Sequence, residues 1–354
     1  MSAGTVDWAL ATRVASRVAG EDPFARSYHA DSLAPDFERF TTEAEQMVAE
    51  VTGLRSLAGP ARARVTDRSG WVQANVRSFQ RLLRPMLERF GGSGNPLGAL
   101  TSRITGAELG VVLGWMSTRV LGQYDLLIIE DEDPDDQDLV YYVGPNVLAL
   151  ERRYAFPPSE FRLWLALHEV THRAQFTGVP WMRQHFLGLV ESMVSTVGPE
   201  PSDVAGAVGR LVDAARRGRN PLADGGVMAL LASDDQRRTM EQIAGLMSLL
   251  EGHGDVTMDR AGGARIPSAD RFSRVLRQRR QQATGAVRLL QQLTGLEAKL
   301  AQYEQGERFI AAVEATDPAL MDRVWEDPAL LPALGEIRQP DTWVARVRAS
   351  VPAS

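Results

Sequence analysis

The chain has 354 residues, 44% of them hydrophobic and 24% charged, the balance of a globular protein able to bury a sizeable core. A formal net charge of −6 argues against general affinity for nucleic acid or anionic membrane. The absence of cysteine removes disulfides and thiolate ligands, so any zinc must be held by histidine and carboxylate.

The first twenty residues, MSAGTVDWALATRVASRVAG, have no basic start followed by a long apolar run. They read as a short amphipathic helix rather than a signal peptide, and no later run has the length needed to span a bilayer. The cytoplasm is the expected location. DSLAPDFERFTTEAEQMVAEVTGL reads as a second amphipathic helix, broken at Gly59-Pro60. A long helix then runs through WVQANVRSFQRLLRPMLERF, where Val72, Val76, Phe79, Leu82, Leu83 and Leu87 recur at helical spacing. The segment GGSGNP at 91–96 is the clearest flexible stretch. It separates a helical N-terminal region, 1–97, from a region 98–354 expected to carry the chemistry, the two forming one compact unit. Thr105 and Glu108 cap the next helix, ITGAELGVVLGWMSTRVLG.

The periodicity then changes. Tyr124–Glu130 and Leu139–Val143 are short β-branched or aromatic runs, and Asn146–Leu150 is expected to add a third strand. The acidic loop DEDPDDQD between the first two lacks the glycine and distal glutamate of a calcium-binding EF-hand loop and reads as a solvated hairpin tip. The free edge of such a sheet offers N–H and C=O groups to an extended peptide. Almost everything after residue 158 reads as helix. The expected class is mainly α with a small β-sheet (α+β).

The stretch that carries chemistry is PSEFRLWLALHEVTHRAQF, residues 158–176. Pro157 and Pro158 mark a helix start, Ser159 is a candidate cap, and Phe161, Leu163, Trp164, Leu165 and Leu167 make the helix apolar on most sides. Within it, His168, Glu169 and His172 spell H-E-x-x-H. Two histidines four apart share a helix face and can grip one ion, with the glutamate placed to act as base on a water. Zinc is the default metal for two imidazoles and a carboxylate.

A catalytic zinc site needs a third ligand, and few residues qualify. His29 reads as surface. His185 lies thirteen residues beyond His172, and completing the metzincin pattern would require glycine at Gln175 and histidine at Gly178. The better segment is MSLLEGHGDVTMD at 247–259. Two glycines in a helix interior cost about 1 kcal/mol each relative to alanine, which points to close packing against another backbone. Glu251 fits as third ligand with Asp255, four residues on, accepting from a ligand histidine's other N–H. His253 is the alternative, and a helix break carrying surface charge is the plain one.

The run ALHEVTHRAQFTGVPWMRQHFLGLV, with LLEGHGDVTMD and KLAQYEQGERFIAAV, resembles a family of zinc-dependent metalloproteases found mostly in actinobacteria and named for association with biosynthesis of the deazaflavin coenzyme F-420. The resemblance extends from about residue 98, through GAELGVVLGWMSTRVLGQYDLL and VGPNVLALERRY, to DTWVARV. It implies a zincin-like core similar to gluzincins, with His168, His172 and Glu251 as zinc ligands and Glu169 catalytic. Glu251 lies 79 residues past His172, much further than in thermolysin-like enzymes. Tyr303 is a candidate donor to a developing oxyanion, weighed against a partly buried helix tyrosine. The only lysine, Lys299, reads as a surface residue whose stem covers apolar neighbours. The expected activity is zinc-dependent hydrolysis of a peptide bond or a small amide. A zincin-like fold kept for binding is the third reading, which an intact Glu169 argues against.

Overall fold

The computed structural model describes residues 6–24, 27–90, 96–126, 138–195, 234–281 and 296–350. The GGSG stretch, the acidic loop apart from its last residue, Asp138, and the helices expected between 201 and 233 lie outside them. The chain divides into two compact units, Met1–Pro180 with Thr257–Arg274, and Trp181–Val256 with Val275–Ser354. Helices dominate beside one small sheet, the mainly α class with a minor sheet that was expected, although the three strands of that sheet are not the three expected ones.

The first unit opens with α1 (Trp8–Ala19), α2 (Tyr28–Asp31) and α3 (Leu33–Thr52), followed by β1 (Arg62–Thr66), α4 (Arg68–Phe90) and α5 (Pro96–Ser117). Then come β2 (Gly122–Tyr124), β3 (Leu139–Val143), α6 (Gly144–Tyr154) and α7 (Pro158–Thr177). Two strand expectations are corrected. Asn146–Leu150 is helical, because Pro145 stands in the first turn of α6, where its missing N–H costs nothing and its fixed φ favours the helix. The run from Tyr124 starts earlier than expected: among the described residues its strand is Gly122–Tyr124, and 127–130 lie outside them. β1, RARVT, has no apolar run, and all five residues are half-buried.

The sheet order is β1–β3–β2, with β1 parallel and β2 antiparallel to the central strand. All five residues of β3 are buried, as a strand covered on both faces requires. Its side chains alternate. Leu139 and Tyr141 cluster with Ala74, and Val143 with Trp71 and Val72, all on α4. On the other face Tyr142 stacks on Phe37 of α3 at 3.8 Å and shares a 2.8 Å hydrogen bond with Thr41. Burial pushes the Tyr142 phenol well above its ordinary pKa. The α1–α5 pair packs backbone to backbone: a Cβ on Gly106, Gly110 or Gly114 would lie 2.5 Å from the carbonyl oxygen of Asp7, Ala11 or Ala15.

Two buried arginines strap α7 to its surroundings. Arg162 pairs with Glu151 of α6 at 2.8 Å and Asp36 of α3 at 2.6 Å. Burial works against its charge, but hydrogen bonds to the two carboxylates hold its pKa above the ordinary value. Arg173 reaches Asp138 at 2.6 Å, Glu45 at 2.7 Å and the carbonyl of Gly59 at 2.7 Å. The straps are eleven residues apart, close to three full helical turns, and so share one stripe of α7.

The second unit contains α8 (Met182–Ser195), most of α9 (Asp234–Gly262), the later turns of α10 (Ala269–Gln281), and α11 (Leu296–Thr316). Short helices then lead to α12 (Leu334–Arg338) and α13 (Pro340–Ala349). From Thr257 onward the last turns of α9 belong to the first unit. The core of the second unit gathers Leu249 from α9, Phe309, Ile310 and Val313 from α11, and Trp343, Val344 and Val347 from α13. Here α9 and α11 cross without side chains between them, for a Cβ on Gly306 would lie 1.9 Å from the carbonyl oxygen of Ser248.

Candidate metal centre

α7 begins at Pro158, as the two prolines led us to expect, with Pro157 rather than Ser159 in the cap position, and fifteen of its twenty residues are buried. At roughly 100° per residue, Glu169 falls on the stripe of Arg162 and Arg173, while His168 and His172 point sideways from it. One face of the helix therefore carries the carboxylate towards the sheet and another carries the histidine pair. The two imidazoles are half-buried, with ring centroids 4.6 Å apart and planes at 83°. Their Nε2 atoms are 3.2 Å apart.

That separation suits a shared ion. Two nitrogens at about 2.05 Å from a tetrahedral zinc lie about 3.3 Å from each other. The tautomer also fits. Gln175, fully buried one turn on, places Oε1 at 3.0 Å from Nδ1 of His172. With the amide oxygen assigned to that position, Nδ1 must donate, and in a neutral imidazole Nε2 then presents its lone pair. Glu251 on α9 is 4% exposed, a burial that a carboxylate tolerates beside a positive charge or donors. One ligand atom each from His168, His172 and Glu251 lies within 4.8 Å of the others. Two imidazoles and a carboxylate are a donor set zinc takes, so these residues fit the metal.

Glu169 is 7% exposed, and its Oε2 accepts a 3.2 Å hydrogen bond from the backbone N–H of Tyr124 in β2. Gly122, two residues earlier, lies against the same side chain: a Cβ there would be 2.6 Å from Cγ and 2.7 Å from Oε1 of Glu169.

Of the other residues singled out in the sequence, His253 packs edge-on against Trp325 with centroids 4.9 Å apart and stands outside the ligand group. Asp255 is half-buried on α9. His29 is exposed. His185 packs against Trp181, and burial lowers its pKa. Gly178 excludes a metzincin histidine on steric grounds, since a Cβ there would lie 2.9 Å from the carbonyl oxygen of Arg55. Tyr303 and Lys299 lie on α11, and their side chains are outside the described residues. Sequence reasoning missed Gln175 and the pair Gly122–Tyr124. Gln175 could have been found as a polar residue three positions past a ligand on a buried helix, while nothing local marks Tyr124.

Among the described residues no helix is long and apolar enough to cross a membrane. The family model for zincin-like metallopeptidases matches residues 6–344. A crystal structure from Chloroflexus aurantiacus, described as a "putative hydrolase with a novel fold", is similar at 30% identity and a TM-score of 0.72, covering 98% of this chain and 100% of its own. No curated protein matches.

Proposed function

The chain belongs to the zincin-like metallopeptidase family, and on that premise we propose that it is a zinc-dependent hydrolase that cleaves a peptide bond with Glu169 as general base. The observation that carries the reading is the pair His168 and His172 on α7, their Nε2 atoms 3.2 Å apart and Glu169 adjacent to the first, with Glu251 able to complete a metal-holding group of ligand atoms within 4.8 Å of one another. Zinc bound there would polarise the scissile carbonyl and make water a competent nucleophile near neutral pH.

The chain's own residues supply the rest. His168 and His172 present neutral nitrogens, the second held in that tautomer by Gln175. Glu169 accepts the proton of the attacking water and delivers it to the leaving amine, a role worth about 10²–10⁴-fold in rate. Its carboxylate is already oriented by the Tyr124 amide.

Metal analysis of purified protein, paired with a peptide-library cleavage assay, tests the reading. The expected result is one zinc per chain, lost in Glu251→Ala and kept in Glu169→Gln, with hydrolysis abolished in both. Full activity in Glu169→Gln removes it from the mechanism. Zinc without cleavage of any peptide moves the substrate to a small amide.

A further inference from the structure

β2 is the edge strand of the sheet, and its register decides which of its backbone groups look outward. Val143 N–H donates to Leu121 O at 2.8 Å, and Asp125 N–H donates to Leu139 O at 3.0 Å. The odd-numbered residues of this stretch therefore bond to β3, and Gly122 and Tyr124 turn their N–H and C=O groups to the outer edge. An outward N–H on an edge strand ordinarily serves water or another strand. Here Tyr124 N–H serves Glu169.

Gly122 completes the contact through what it lacks. Its φ lies outside the left-handed region, so the backbone there would accept any residue. Space is what requires glycine. A Cβ would stand 2.6 to 2.9 Å from three atoms of the Glu169 side chain, closer than real Cβ contacts come.

β2 is itself held still. Trp71 Nε1 donates to Gln123 Oε1 at 2.8 Å, and Gln123 Nε2 donates to Asn75 Oδ1 at 3.2 Å. Asn146 Nδ2 donates to the carbonyls of Ser117 and Val120, both at 2.7 Å, just before the strand. Tyr124 OH donates to Asp138 Oδ1 at 3.0 Å, and the other oxygen of Asp138 accepts from Arg173 at 2.6 Å. Arg173 is one turn past Glu169 on α7. The connection closes on itself: helix to Asp138, Asp138 to Tyr124, and Tyr124 back to the helix at Glu169.

We propose that β2 is a ledge whose bare Gly122 and outward Tyr124 amide fix the Glu169 carboxylate, independently of the residues that hold the metal. Gly122 and Tyr124 are positioning residues. Their effect on rate rests on Glu169 being the general base, but the latch itself does not. In function, the ledge keeps the base at one distance from the reacting water, where a displacement of about 1 Å can cost about 100-fold in rate.

The test combines residue-resolved amide exchange, zinc affinity and peptide cleavage on the full-length protein. In wild type the Tyr124 amide is expected to be protected. In Glu169→Ala it should exchange roughly tenfold faster or more, while the Asp125 and Val143 amides, bonded inside the sheet, stay as they were. Glu169→Gln keeps an acceptor oxygen and should keep the protection. Gly122→Ala should bind zinc in chelator competition as wild type does, yet lose about 100-fold in kcat at unchanged KM on a quenched-fluorescent peptide. A Tyr124 amide equally protected in Glu169→Ala overturns the latch, and a fully active Gly122→Ala beside an inactive Glu169→Gln overturns the positioning role of the ledge. If Glu169→Gln hydrolyses normally while the exchange pattern holds, the catalytic reading fails and the latch stands.

Discussion

Gly306→Ala is the sharpest perturbation of the helix that carries Glu251. The added Cβ would begin 1.9 Å from Ser248 O, 2.9 Å from Gly252 Cα and 3.0 Å from Gly252 N. Every obstacle is backbone, so no rotamer change relieves it, and reaching ordinary contact requires α9 and α11 to separate by about 1.5 Å. The fully buried cluster of Leu249, Phe309, Ile310 and Val313 spans this crossing and would lose packing. Overpacking of this kind costs about 1–3 kcal/mol, and a rigid obstacle puts it near the upper end. Replacing a helical glycine with alanine returns about 1 kcal/mol, leaving a net loss of about 2 kcal/mol. Gly188→Ala on α8 is the control: nothing lies within 4 Å of its Cβ, so the same chemical change should stabilise by about 0.5–1 kcal/mol. Denaturant melts of both metal-free variants, followed by zinc titration, read the difference. Gly306→Ala should melt earlier and bind zinc more weakly, because Glu251 adjoins Gly252. A Gly306→Ala protein as stable as Gly188→Ala, with wild-type zinc affinity, would refute the tight crossing and its coupling to the ligand.

Three further outcomes follow from the same geometry. Gln175→Leu should weaken zinc binding by about 10–100-fold in chelator competition while Gln175→Glu retains it; equal affinity in both would show that the Nδ1 contact does not set the tautomer. Arg162→Met leaves the Glu151 carboxylate, 8% exposed, without its main partner and should cost about 3–5 kcal/mol, most of it restored by adding Glu151→Leu; a double variant no better than the single would rule out the charge as the cause. Burial lowers the folded-state pKa of His185, so below about 6.5 the unfolded chain takes up the proton first. That contribution to stability is present at higher pH and is lost as pH falls, so His185→Gln should narrow the difference between urea midpoints at pH 7.5 and pH 5.5.

How much of this was legible in the chain depended on how local the cause was. α3, α4 and α7 could be read because apolar spacing and prolines act within a few residues. β1 could not, because Arg62–Thr66 becomes a strand only by pairing in parallel with β3, more than seventy residues away. Asn146–Leu150 looked like a strand because Val147–Leu150 is an apolar run after a turn, yet the deciding signal, Pro145 at a helix start, was in plain view. Gly252 gave the strongest long-range clue: two glycines in a helix demanded a close neighbour, and Gly306 is that neighbour for one of them. What no local signal supplied was the partner's identity.

The same distinction separates the two functions of the site. α7 carries three charged residues on one stripe, Arg162, Glu169 and Arg173, and their partners come from residues 36, 45, 124, 138 and 151. The base is thus oriented by the sheet, and the helix that carries it is held by α3 and α6. The metal ligands depend on other supports: Gln175 for His172, and the Gly252–Gly306 crossing for Glu251. Because the two sets share no residue, substitutions should sort into two phenotypes. Changes at Gly122 should slow hydrolysis with zinc in place, and changes at Gln175 or Gly306 should weaken zinc first and lose hydrolysis with it. A variant from the first set that loses zinc at the same rate as one from the second would show that base and ligands are held by one support rather than two.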